Sequence, residues 1–425
     1  MSTLQIARAI AIALMAILVT FSIIFLILIP DSSSKHATPP SPTPFLPPSL
    51  PPSPRAYYRK AFVDSGFRKN TVCINNETSF SVSSSSKSPA MFVIGDSSVD
   101  CGENSRFYPL LRRNKSLIPC SKGSKSTLIP HFLAKKMGLP DTPTFYEKND
   151  TIQGLLSGIN YGSAQATILP IANTLTFQSL NQQLRQVFET IQLVQLQLGE
   201  QEAQEFIGSS VFYLSLGKDD YTNFYFGNSS YSPGYNGGDK QLFPKLLVDE
   251  MTNALRNLYN AGVRKVVSMG IYPLGCAPRT VVDWYFHTGR NIKSTRGCVN
   301  EINQLISQHN QLLLDHITDL TLELSDAQFV FCDVYQGFMR ILSNPQHYGF
   351  EETRGACCGT GWHGAASGCD TMEMACDQSS GHVWWDLYNP SEAVNSLLAD
   401  SVWSGHPLGD ICHPLSIRAL VNIAS

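Results

Sequence analysis

Residues 91–100 read MFVIGDSSVD. Four apolar residues run without a polar break into Gly95, and a serine follows two positions later. A continuous apolar run of this kind is expected of a strand buried on both faces. The glycine permits a tight turn, which sets Ser97 at a helix N-terminus with backbone N–H groups around its hydroxyl. Taken alone, Gly95-Asp96-Ser97 also fits an ordinary strand-to-helix turn with a capping serine.

Three more runs of the same character follow: 211–216 (VFYLSL), 263–269 (VRKVVSM) and 328–334 (QFVFCDV). Helical patterns separate them. In 179–198, Leu180, Leu184, Val187, Phe188, Ile191, Val194 and Leu198 share one helical face, and Gly199 supplies a stop. Segments 241–262 and 298–324 carry the same periodicity. Strand–helix alternation predicts an α/β fold, a doubly wound flavodoxin-like parallel sheet of about five strands with helices on both faces. Active sites of such sheets form at the carboxyl ends of the strands. The polar residues Gly217-Lys218-Asp219-Asp220 end the second run at that edge.

The chain has 425 residues, 43% of them apolar, enough for a sizeable core. Its net charge is −3, and it has no Lys/Arg run. This excludes an electrostatic nucleic-acid binder. After a short tail (1–8), residues 9–30 are apolar and free of charge, long enough to cross a bilayer as a helix. They read as a transmembrane signal anchor, with a cleaved signal peptide as the alternative. Residues 31–55 are a Pro/Ser-rich spacer, 56–88 are transitional, and 89–425 form the folded domain. Asn76, Asn114, Asn149 and Asn228 head N-x-S/T glycosylation tripeptides. Together with eleven cysteines, they point to an oxidising lumen or the cell exterior. Cys357, Cys358, Cys369 and Cys376 lack zinc-ligand spacing and read as two bridges of open connectivity, so no metal is expected.

Near the C-terminus comes WWDLYNPSEAVN (384–395). With MFVIGDSSVDCGEN (91–104), GINYGSAQATIL (158–169), FYLSLGKDDYTNF (212–224), GIYPLGCAPR (270–279), GCVNEIN (297–303) and GFEETRGACCGTG (349–361), it resembles the plant GDSL esterase/lipases of the SGNH hydrolase superfamily. The resemblance spans about 89–405 and implies the SGNH form of the α/β fold. It also implies hydrolysis of carboxylic esters, lipid acyl or polysaccharide acetyl, through an acyl-serine and without a cofactor. By resemblance Ser97 is the nucleophile and Asp386 orients the base. Backbone N–H groups, with Gly162 or Ala164 at the second-block donor position, and the third-block Asn form the oxyanion hole. The same comparison pairs Cys276 with Cys298.

The sequence departs from the family where the chemistry is done. The histidine position holds Asn389, and the oxyanion Asn position holds Asp219. An amide does not accept and hold a proton near neutral pH. A carboxylate at Asp219 puts negative charge where negative charge must develop, and only its protonated form donates. Loss of the base typically costs about 10⁴–10⁶ in turnover. Asn389-Pro390-Ser391-Glu392 also reads as a helix start, with Asn389 as the cap. His413, in a local D-x-x-H-P with Asp410, is the substitute base the sequence offers first, ahead of His382 and His363. Trp384 and Trp385 suggest one core residue and one facing the cleft. Three functions follow: a weakened esterase, an inactive ester- or glycan-binding pseudo-esterase, and a lumenal polysaccharide O-acetyltransferase. The expected partners are an ester or acetylated glycan and, through the N-terminal helix, a membrane.

Overall fold

A computed structural model describes residues 89–101, 104, 128–148, 151–170, 178–226, 242–288, 297–369 and 371–423. The tail, anchor, linker and transitional segments at 1–88 lie outside these residues, as do Asn76, Asn114, Asn149 and Asn228. Among the described residues, no helix is long and apolar enough to cross a membrane.

The four apolar runs are strands: β1 (Met91–Gly95), β2 (Val211–Ser215), β3 (Lys265–Met269) and β4 (Gln328–Cys332). They lie side by side in the order β1-β2-β3-β4, all parallel, in a register that aligns Met91, Val211, Lys265 and Gln328. Nearly every residue of these strands is buried, which explains the absence of polar alternation. The fifth strand, β7 (Cys412–His413), has two residues and runs antiparallel on the outer edge of β4. The Cys332–Cys412 disulfide fastens it there. The sheet is thus four parallel strands closed by one short antiparallel edge.

The helices fall into two packed groups. One contains α3 (Leu180–Leu198), α5 (Leu242–Asn260) and α7 (Asn300–Glu323). The apolar face read from the sequence of α3 is the buried one, and Ser179 with Gln182 closes a capping box at its start. The other contains α1 (Ile129–Lys136), α8 (Val334–Ser343), α9 (Glu392–Ser404) and α10 (Ile417–Asn422). Between β2 and α5, and between β3 and α7, lie two further elements that bear on the site. These are a one-turn helix at Lys218–Asp220 and α6 (Pro278–Thr288).

A small two-stranded sheet, β5 (Glu352–Ala356) with β6 (His382–Trp384), carries the C-terminal cysteines. Cys357 pairs with Cys376, and Cys358 with Cys369. Trp385 is buried against these bridges and Trp384 in the main core, so neither faces the cleft as the sequence had suggested. Both residues have 2% exposure or less, Trp385 under the bridged loop and Trp384 against Tyr272 and Phe338. Cys276 pairs with Cys298, closing the segment between β3 and α7.

Candidate active site

β1 delivers Ser97 to the carboxyl edge of the sheet. Gly95 is required there: a Cβ would lie 2.3 Å from Val99 and 2.7 Å from the Ser215 carbonyl oxygen. The next strand ends the same way. Gly217 adopts φ +107°, which turns β2 into the Lys218–Asp220 helical turn and sets the buried Lys218 and Asp219 beside Ser97. The third contribution comes from the loop after β6. The Asp386 carboxylate accepts the N–H groups of Tyr388 (3.0 Å) and Asn389 (2.8 Å), and the Asn389 side-chain amide donates to its other oxygen at 2.9 Å.

These three pieces meet in one network. The Ser97 hydroxyl donates to Asp219 Oδ1 at 2.8 Å, and the Ser97 N–H donates to Asp219 Oδ2 at 2.9 Å. The Gln165 N–H donates to the same Oδ2, also at 2.9 Å. Gln165 is one of two described non-glycine residues with positive φ (+64°), a sparsely populated conformation held here by that contact. Lys218 Nζ donates to Ser97 Oγ, and to Asn389 Oδ1 at 2.9 Å. It also pairs with Asp219 Oδ1 at 2.9 Å. Tyr272, at the end of β3, reaches Asn389 Oδ1 at 3.5 Å.

The Asn389 amide can face only one way in this setting. Its NH₂ meets a carboxylate that only accepts, and its oxygen meets an ammonium that only donates. The result is an ordered chain, Asp386 to Asn389 to Lys218 to Ser97. Asn389 is shorter than a histidine, and the Lys218 ammonium fills the gap between its oxygen and Ser97.

The charges are balanced locally. Burial works against the Lys218 ammonium, but the carboxylates of Asp219 and Asp96 and the Tyr272 hydroxyl outweigh it and hold the group well above the ordinary lysine value. Asp96 accepts the Ser98 N–H (2.9 Å) and the Asp219 N–H (3.2 Å). Burial, and then the Asp219 charge, push Asp96 up to about 6. Asp220 takes the N–H groups of Ile168 (2.8 Å) and Leu169 (3.1 Å), yet burial still raises it well above the carboxylate range. The cleft beside Ser97 and Lys218 is narrow, about 30 Å³, and is walled on its apolar side by Leu128, Ile129, Met269, Ile271 and Val334.

The structure brings Ser97, Asp219, Asp386 and Asn389 together but relocates other candidates. The N–H groups of Gly162 and Ala164 are already taken, by Asn160 Oδ1 (2.9 Å) and Asp100 Oδ2 (2.8 Å). The second-block donor facing Ser97's partner is Gln165, one residue further along. His413 does not serve Ser97. It is exposed on β7, in register with Phe331, and four interstrand spacings separate it from β1, roughly 19 Å. His382 has its Nδ1 beside the Gln378 carbonyl at 3.1 Å, and His363 stacks against Trp362 with ring centres 4.6 Å apart. Asn389 is not the helix cap either. Ser391 caps α9 by accepting the Val394 N–H, because Asp386 has already claimed the Asn389 side chain.

Two residues escaped the sequence reading. Lys218 stands at the variable position of its block, where nothing in the pattern says that its side chain turns inward. The usable signal was an adjacent cation and anion, Lys218 beside Asp219, at a buried strand end. Gln165 gave no signal, because its contribution is a backbone N–H.

The sequence model of the GDSL-like lipase/acylhydrolase family matches residues 91–402, most of the chain and all three arms of this site. The chain belongs to that family. Its curated relatives include three proteins of Arabidopsis thaliana. GDSL esterase/lipase At1g71250 is 30% identical over 348 residues, 80% of this chain and 90% of that protein. GDSL esterase/lipase At5g08460 is 30% identical, covering 79% of this chain and 88% of that protein. GDSL esterase/lipase 7 is 30% identical, covering 79% and 92%. As a GDSL family member, the chain carries the α/β architecture of that family, with Ser97, Lys218, Asp219 and Asn389 in one network.

Proposed function

We propose that this GDSL protein binds a carboxylic ester, lipid acyl or acetylated glycan, in the cleft beside Ser97 and hydrolyses it at neutral pH far more slowly than a histidine-bearing member of its family. One observation carries the reading. The Asp219 carboxylate accepts the Ser97 hydroxyl and both nearby backbone N–H groups, those of Ser97 and Gln165. These donors are the ones a developing oxyanion would need, each worth about 3–4 kcal/mol to a transition state. A substrate carbonyl has to compete for them with a carboxylate already in place. The serine proton faces a carboxylate and the serine lone pair faces an ammonium, so no neutral base is at hand.

The test is labelling of the serine with a fluorophosphonate probe at pH 7, together with turnover of a short p-nitrophenyl ester. Wild type should label no more than Ser97→Ala. The double variant Asp219→Asn/Asn389→His should label strongly and turn over at least about 10⁴-fold faster than wild type. Ser97-dependent turnover by the wild type at a rate matching the double variant would overturn the reading.

The ester-binding domain is further placed in the secretory lumen or outside the cell, tethered or released according to the fate of residues 9–30. The Cys276–Cys298, Cys332–Cys412, Cys357–Cys376 and Cys358–Cys369 bridges support an oxidising compartment. Glycosidase sensitivity of the expressed full chain, with protease protection in sealed microsomes, tests that placement. A cytosolic, unglycosylated chain would sink it.

A further inference from the structure

The family site uses a histidine between Asp386 and Ser97, and here an ammonium stands in the gap. Lys218 Nζ touches Ser97 Oγ on one side and Asn389 Oδ1 on the other, and Asn389 is tied to Asp386. The lysine side chain is 4% exposed and is fixed by three partners, so its position is set by the fold rather than by solvent. We infer that Ser97 and Lys218 are a latent nucleophile–base pair, with the lysine amine in the histidine's place and Asp219 as the counter-ion that keeps the pair off. This rests on the caged-site reading above and adds a residue and a chemistry to it.

The groups facing Lys218 come from every arm of the site: Asp96 after β1, Asp219 beside it, Tyr272 after β3, and Tyr388 and Asn389 in the loop after β6, with Asp386 behind Asn389. Asp219 is both the direct ion-pair partner and the plug in the oxyanion donors. Removing its charge therefore does two things. Burial of Lys218 is then less opposed, which favours the neutral amine. The N–H groups of Ser97 and Gln165 also become free of a carboxylate.

The chemistry then balances with groups already present. The neutral Lys218 amine takes the Ser97 Oγ proton as Oγ bonds to the ester carbonyl carbon. The carbonyl electron pair moves to oxygen, between the Ser97 and Gln165 N–H groups. On collapse the C–O bond to the alcohol breaks, and the leaving alkoxide takes the proton from the Lys218 ammonium. Water then attacks acyl-Ser97 and gives a proton to Lys218. Collapse of that second adduct releases the acid, and Ser97 Oγ takes the proton back. Asn389 holds the lysine in line and takes no proton.

The experiment is the single variant Asp219→Asn, with no histidine added. Ser97 labelling and p-nitrophenyl acetate hydrolysis are followed from pH 6 to 10. Labelling should rise by about 10²-fold or more over wild type, climb along an alkaline limb, and vanish in Asp219→Asn/Lys218→Met and in Asp219→Asn/Ser97→Ala. Asp219→Gly provides a second variant without the carboxylate, and a cooperative thermal melt checks both. If neither melts cooperatively, the wild type is followed from pH 8 to 11. A Lys218-dependent rise in labelling upholds the pair, and a flat profile overturns it. A folded Asp219→Asn protein that stays unlabelled at every pH, or labels equally without Lys218, overturns the pair. Labelling that returns only when Asn389→His is added overturns the pair and leaves the caged site standing. Wild-type turnover at pH 7 that is lost in Lys218→Met sinks the caged site and leaves the pair standing.

Discussion

The backbone that carries Ser97 and the side chains that face it set different properties of the site. On the backbone side, β1 ends in Gly95, the turn presents Ser97 with its N–H directed into the site, and Gln165 presents a second N–H. On the facing side, Asp219 accepts the Ser97 hydroxyl, Lys218 stands between Ser97 and Asn389, and Asn389 is tied to Asp386. The difference teaches that a fold's geometry and its reactivity are stored separately. The first lies in glycine turns and strand register, the second in the few side chains that meet at Ser97.

The sharpest way to break this comparison is to unbalance the charges. Lys218→Met leaves Asp219 buried without its ion-pair partner and with Asp96 close by, and should cost about 3–5 kcal/mol of unfolding free energy. Adding Asp219→Asn removes the stranded charge, so denaturant melts of the double variant should recover most of the loss. Additive losses in the two single variants would show that the pair is not a unit. A smaller effect is expected at Asp386. Asp386→Ala removes the acceptor of two backbone N–H groups and the Asn389 amide, and should cost about 1–3 kcal/mol in the same melts. An unchanged melt would mean that Asn389 is held by Lys218 alone.

A further effect, of similar size, sharpens the comparison by pH. Asp96 lies on the backbone side, yet it feels the facing charges. Its folded-state value stands at about 6, above the 3.8 of a free carboxylate. The folded state thus favours its protonated form. Its contribution to stability is fully present below 3.8 and is lost as pH rises through about 6. Asp96→Asn cannot titrate. Between pH 4 and 7 its melting temperature should gain on that of the wild type, after allowance for one lost accepted hydrogen bond. Parallel curves for the two proteins would show that Asp96 does not sense Asp219.

Much of the fold was legible in the sequence, because parallel strands buried on both faces must be continuously apolar and amphipathic helices must show their period. β1 to β4, α3, α5 and α7 follow from that pattern to within a few residues. The family followed from the order of its blocks. The same blocks named Ser97, Asp219, Asp386 and Asn389, which the structure brings into one network. The pattern did not carry what depends on contacts between distant segments. Two-residue β7, too short to have a period, is placed by the Cys332–Cys412 bridge, and that placement carries His413 to the far edge of the sheet. Asn389 reads as a cap because local spacing fits one, but Asp386 takes its side chain and Ser391 caps instead. For Lys218 the sequence gives only its place at the strand edge, not the direction of its side chain. Only the convergence of β1, β2 and the loop after β6 buries its ammonium among carboxylates, at the one point between Asn389 and Ser97.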